Sequence, residues 1–437
     1  MFWLQFFVII AALCFGARLG GIFMGMAGGI GVGILVFVFN LTPSSPPVDV
    51  MLIIISVVLA ASTLQACGGM DYLVQIAEKI LRKNPKRITF LAPLVTYLFT
   101  FLSGTGNVAF SLIPVIAEVA RESGVRPERP LSISIIASQQ AITASPISAA
   151  MAALVSILAV QGIGMGTIML IAVPATLIGV LAGACYCCRV GKELADDPEY
   201  QRRLAEGLFS AAKTKEKAII TKQAKISVAL FILAAVAVVS FGTLPFLRPD
   251  FLINGEVAKL SMSHTIEIIM LITAGLMVLL CRPNLDLIVS GSVFRSGMMG
   301  VVCIFGLAWM GDTLVSNHMP YLKENVQAIL ITYPWTFAVA LLLVSALVLS
   351  QAATTRLLMP LGLSLGLPPY MLIASWPACN GYFIIPSYAT LIAGVAFDTT
   401  GTTRIGKFVF NHSYMIPGLI TCTVGVAVGF AVGYFVL

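Results

Sequence analysis

An all-α integral membrane protein built from two inverted repeats is the fold class this sequence predicts, and three observations predict it. First, of 437 residues 59% are hydrophobic and only 10% charged, far more apolar than a soluble domain. Second, runs of roughly 18 to 22 apolar residues recur along the chain, the length that crosses a bilayer as a helix. Third, two of the apolar stretches are interrupted by polar, glycine- or hydroxyl-rich segments, and each interruption has a counterpart in the other half. Residues 103–114 read S-G-T-G-N-V-A-F-S-L-I-P and residues 350–360 read S-Q-A-A-T-T-R-L-L-M-P; downstream of each lies a second break, T-A-S-P-I-S at 143–148 and I-I-P-S-Y-A-T at 384–390. Irregular backbone at membrane depth is tolerated only where protein or a water-filled cavity surrounds it. Paired interruptions in two halves point to the binding site of a secondary transporter.

Taken in order, the first span covers about 4–17, with Arg18 behind it. No basic region precedes that run and no small-residue cleavage site follows, so it reads as a retained span rather than a signal peptide. The glycine-rich stretch from Gly20 opens a second span ending near Asn40, its small residues allowing close helix approach in lipid. A third span runs from Val50 to Cys67, and the basic amphipathic piece Asp71 to Arg87 suits a helix lying along the interface. Residues 88–121 form a first re-entrant hairpin, 131–160 a broken helix with its break at Ser145-Pro146, and 167–188 a crossing back. The segment 189–225, with nine basic and six acidic residues, is a solvated linker. The second half repeats the plan: spans near 226–247, 263–281 and 296–315, a hairpin at 335–367, a broken helix at 371–397 and a last span at 413–436. The predicted domains are therefore 1–188 and 226–437 around a cytoplasmic linker, with about ten transmembrane helices plus two hairpins.

Charge agrees with this plan. The net charge of +7 could suggest nucleic acid, but its distribution fits membrane orientation. With both termini periplasmic, 22 of the 26 Lys and Arg fall on the cytoplasmic side, where basic residues accumulate. Arg248, Lys259 and Lys323 remain outside, and Arg356 lies alone in the second hairpin.

Several chemistries are not encoded. There is no phosphate-binding loop motif, no dinucleotide fingerprint and no H-E-x-x-H. The chain is expected to be no enzyme, to need no cofactor and to bind no nucleic acid. Most of the nine cysteines lie in apolar runs, and the C-Y-C-C at 185–188 lacks a nearby His to complete a metal site. The three histidines, 264, 318 and 412, are scattered, which also speaks against an alternative reading as the haem-bearing anchor of a respiratory enzyme. What the breaks do supply is helix N-termini with free N–H groups, beside hydroxyls and amides, which suit an anion. The candidate ligands are Ser103, Thr105, Asn107, Thr143, Ser145 and Ser148 in the first half, and Ser350, Gln351, Thr354, Thr355, Ser387 and Tyr388 in the second. A single membrane Ser or Thr more often bonds its own helix backbone; four paired clusters favour a site. Arg356 either meets a substrate carboxylate or snorkels to the outer surface. Asn380 and Tyr382, in P-A-C-N-G-Y-F, are weaker candidates.

The chain also resembles a known family. G-A-R-L-G-G-I near the start, G-G-M-D-Y-L-V, F-L-S-G-T-G-N, G-V-R-P-E-R-P-L-S, I-T-A-S-P-I-S-A-A, L-A-W-M-G-D-T-L-V-S-N, S-Q-A-A-T-T and D-T-T-G-T-T-R-I-G-K-F-V-F-N-H are similar to the anaerobic C4-dicarboxylate transporters of the Dcu family, its A-type members above all. The resemblance spans nearly the whole length. It implies a carrier of the bacterial inner membrane that exchanges fumarate, malate or aspartate for succinate in anaerobic respiration. The family resembles a branch of the ion-transporter superfamily, which implies a homodimer, a fixed scaffold and a mobile elevator domain carrying the hairpins. The alternative kept open is Na⁺- or H⁺-coupled symport of the same dicarboxylates.

Overall fold

The computed structural model describes the chain from residue 1 to 437 except 20, 21, 107, 208–219, 254, 255, 326, 387 and 407–410. Among the described residues six helices are long and apolar enough to cross a membrane, and up to seven when a bent pair is taken as one span. The six are Glu128–Gln161, Met165–Cys187, Lys222–Thr243, Met262–Cys281, Ser292–Asn317 and Met415–Val436. The bent pair, Met51–Ala66 with Gly69–Lys83, turns by 72°. The turn sits at Gly68, whose φ of +77° is open to glycine at little cost. Beyond it, Leu73, Ala77 and Leu81 bury one stripe, as an amphipathic surface helix does. Further apolar helices of 10–17 residues, Phe2–Gly16, Phe23–Val38 and Trp335–Val348, are shorter than a full crossing. The chain is thus an all-α membrane protein with one small exception. Between the spans at 222–243 and 262–281, Asp250–Ile253 and Glu256–Lys259 pair as an antiparallel ribbon, its open end joined by the Lys259–Asp250 ion pair at 2.9 Å. Hydropathy does not register so short a ribbon.

The interruptions appear as helix breaks. Ile88–Ser103 ends at Gly104, and Val108–Glu122 begins beyond the tip. Trp335–Val348 ends at Leu349, and Gln351–Ser364 follows Ser350 directly. Glu128–Ala144 gives way to extended backbone at Ser145, and Ala149–Leu158 resumes after Ser148. In the other half Pro369–Ser375 passes into a 3₁₀ stretch, Trp376–Phe383, before Ala389–Phe397. Pro377 removes a donor at the start of that stretch, and Asn380 leaves helical geometry with φ −107° and ψ 34°.

At the centre lies Glu128–Ala144, in which every residue is buried. Around it, small residues permit close helix contact. A Cβ placed on Gly179 would lie 2.4 Å from the Thr421 carbonyl oxygen, so Met165–Cys187 packs backbone to backbone on the last span. The second helix does the same against Ser292–Asn317: a Cβ on Gly306 would lie 1.8 Å from the Gly25 carbonyl oxygen. That contact explains the glycine-rich stretch as a packing device.

Candidate substrate site

Both hairpin tips border one cavity of about 170 Å³, ample for a small ligand with water. Its polar side comprises Ser103, Gly104, Thr105 and Gly106 of the first tip, Ser350, Gln351 and Ala352 of the second, Ala149 and Ala150, and Tyr388. The rest of the lining is mostly apolar and comes from two other helices: Ile54, Val57, Val58 and Ala61 of one, and Val293, Gly297, Gly300 and Ile304 with Ser296 of the other. No charged side chain lines the cavity among the described residues.

Four helices start at this cavity: those beginning at Val108, Ala149, Gln351 and Ala389. Each N-terminus carries about half an elementary positive charge, together about +2, which complements a dianion without any cationic side chain. Ser148 caps its helix by accepting from the Met151 amide at 3.0 Å, and Ser350 by accepting from Ala353 at 3.2 Å. Such caps orient the remaining amides along the axis.

The predicted site residues divide into three groups. Ser103, Thr105, Ser350, Gln351 and Tyr388 line the cavity. Thr143, Ser145, Ser148, Thr354, Thr355, Arg356 and Asn380 do not. Asn107 and Ser387 lie outside the described residues. Of the second group, Ser145 donates to the Phe101 carbonyl at 2.6 Å and fastens the first tip to the first broken helix. Thr355 accepts from the Trp376 indole at 2.8 Å. Thr354 is fully buried, and its hydroxyl has no partner among the described residues. Arg356 is half-buried and does not line the cavity; Asp312 of Ser292–Asn317 lies within reach of its charge.

Asn380 takes part indirectly. Its amide donates to Gln140 Oε1 at 3.2 Å, Thr143 Oγ1 at 3.3 Å and the Pro377 carbonyl at 3.1 Å. Its own Oδ1 accepts from Gln351 Nε2 at 3.0 Å, and Gln351 also donates to Gln139 Oε1 at 3.2 Å. A buried amide relay therefore joins both broken helices to the second tip. Sequence reasoning missed Gln139 and Gln140. Two adjacent amides inside a strongly apolar span were the available signal, because a buried amide demands partners. It also missed Ser296, and it named Tyr382 and Tyr388 without foreseeing that their rings stack, with centroids 4.8 Å apart.

Beyond the cavity, a polar knot ties the linker to the helical body. Arg126 bonds Glu128 at 2.6 Å and also Asp197, while Arg129 meets Glu193 at 3.0 Å. Burial alone would raise Asp197, but the Tyr200 amide and the Arg126 guanidinium hold it below the ordinary carboxylate value.

The comparisons with known proteins agree with one another. The family model described as anaerobic C4-dicarboxylate membrane transporter matches residues 1–437. The chain is 43% identical to the C4-dicarboxylate transporter DcuA of Wolinella succinogenes and 44% identical to that of Escherichia coli K12, over 99% of each chain. It is 41% identical to the anaerobic C4-dicarboxylate transporter DcuB of Escherichia coli O6:H1, over 98% of each. Among solved structures it superposes on MtrF of Neisseria gonorrhoeae, which illuminates a class of antimetabolite efflux pumps. That match has a TM-score of 0.57 and 13% identity, covering 99% of this chain and 94% of that one, and it speaks to fold alone. The chain belongs to the anaerobic C4-dicarboxylate membrane transporter family, a family of membrane transporters rather than enzymes.

Proposed function

We propose that this chain is a secondary transporter of the bacterial inner membrane that exchanges C4-dicarboxylates, taking up fumarate, malate or aspartate against succinate. The observation that carries the reading is the uncharged cavity onto which four helix N-termini open. A dianion neutralised there by dipoles and hydroxyls needs no counter-ion side chain. The relatives named as C4-dicarboxylate transporters supply the substrate class.

In this reading, 1–188 and 226–437 are inverted repeats joined by the cytoplasmic linker 189–225, with hairpins at 88–121 and 335–367 re-entering the membrane. The ligand is held from one side only, by the tips and broken helices, against the apolar wall of the 48–66 and 292–317 helices. A body that holds its cargo from one side can slide along such a wall, which suits alternating access by an elevator motion in a homodimer within lipid. The substrate-binding set then comprises the cavity-lining Ser103, Thr105, Ser350, Gln351 and Tyr388, with Asn107 and Ser387 beside them in sequence.

The test is uptake of labelled fumarate and aspartate into proteoliposomes with and without succinate inside, in Na⁺ and in choline. Stimulation by internal succinate in both media is the expected result. Uptake that requires Na⁺ and ignores internal succinate would replace exchange by symport.

A further inference from the structure

Among the described lining residues Gln351 is the one whose side chain carries a carbonyl, and the hydrogen bonds around it fix which way that carbonyl turns. Backbone carbonyls accept only, so the contact of Asn380 with the Pro377 carbonyl at 3.1 Å identifies the Asn380 nitrogen. Gln140, anchored on the same Pro377 carbonyl at 3.2 Å, presents its Oε1 to that nitrogen, in agreement. The Asn380 oxygen is therefore the atom facing Gln351, so the group it receives at 3.0 Å is the Gln351 nitrogen. The Gln351 nitrogen also lies 3.4 Å from the Gln139 backbone carbonyl, a further contact that only a donor satisfies. Gln351 Oε1 is left with no donor among the described residues, on a side chain that is only 6% exposed and borders the cavity.

An acceptor there has no use for a carboxylate oxygen and would repel it. Its complement is a donor carried between the carboxylates of the ligand. We propose that Gln351 is a specificity-determining residue whose Oε1 accepts a hydrogen bond from the C2 substituent of the ligand, so that the site favours 2-amino and 2-hydroxy C4-dicarboxylates over the unsubstituted acids. Gln139 and Asn380 act as positioning residues that hold the amide in this orientation. The inference rests on the dicarboxylate reading above and names the part of that class the site prefers.

The experiment measures how aspartate, malate, fumarate and succinate compete with labelled aspartate for uptake into proteoliposomes, with thermal shifts of the detergent-solubilised protein by the same acids as a transport-independent readout. Removing a hydrogen bond to a charged donor is expected to cost about tenfold or more in affinity. In Gln351→Met the aspartate-to-succinate preference should fall by about that factor. In Gln351→Glu a carboxylate replaces the carbonyl, favouring the ammonium of aspartate and repelling succinate, so the preference should rise. If Gln351→Met does not accumulate, the rise in Gln351→Glu alone carries the test. Equal loss for all four acids, or an unmoved ratio in both variants while the wild type transports, overturns the assignment alone. A wild type that binds and transports none of the four overturns the parent reading and this inference with it.

Discussion

Leu349 and Gly104 hold the same job with unequal means. Each closes the arriving arm of a hairpin in the left-handed region, Gly104 at φ +69° and Leu349 at φ +53°. A side chain in that region costs roughly 1–2 kcal/mol, so Leu349→Gly should raise the unfolding temperature of the purified protein. Gly104→Ala should lower it, because the new Cβ would stand 2.8 Å from the Ile147 carbonyl oxygen, in backbone that cannot give way easily. Asn380 is the most exacting of the buried side chains. Asn380→Leu would strand the Gln140 oxygen and one hydrogen bond of Gln351, at a cost of order 3 kcal/mol for two unsatisfied groups. Unfolding of the variant against wild type in the same detergent measures it.

At the scale of elements, the Arg126 knot decides how the linker is held. Arg126→Ala would leave Glu128 and Asp197 charged and buried without their partner, a loss of about 3–5 kcal/mol. Because Asp197 is held below its unfolded value, its contribution is complete above about pH 4 and is lost as pH falls through the folded value. Wild type should therefore show a stability loss confined to acid below about pH 4, and that component should vanish in Asp197→Asn. The helix breaks were legible in the sequence because glycine, proline and clustered hydroxyls announce themselves within apolar runs. Their register was less so. Aligning Pro114 with Pro360 sets Ser103 beside Ser350, yet Ser103 ends its arriving helix whereas Ser350 caps a departing one. The second tip is two residues shorter, and a leucine in a glycine-like conformation carries no mark in the sequence. Partners across the fold, such as Thr355 with Trp376 or Gln351 with Gln139, depend on packing that periodicity does not encode.

For the whole molecule, sliding of one body along another is testable where they touch. A Cβ built on Gly311 would lie 1.8 Å from Leu357 Cδ1, so the 292–317 helix and the second hairpin meet at these positions. Cysteines introduced together as Gly311→Cys and Leu357→Cys should cross-link on oxidation and stop transport, with recovery on reduction, while either single change leaves oxidation without effect. That no charged side chain lines the cavity among the described residues has an electrical consequence. Helix dipoles carry no net charge, so in the exchange proposed above the charge that crosses the bilayer is the cargo's own. Swapping one dianion for another then moves no net charge and should ignore the membrane voltage. Aspartate carries one negative charge at neutral pH and succinate two, so their exchange sends one negative charge outward per turnover. An inside-negative potential of about 100 mV would drive that exchange with about 2.3 kcal/mol, a bias of about fiftyfold in the attainable gradient. Proteoliposomes clamped with a potassium ionophore should show voltage-dependent aspartate uptake and voltage-blind fumarate uptake, making the same carrier a rectifier for one cargo and a neutral turnstile for the other.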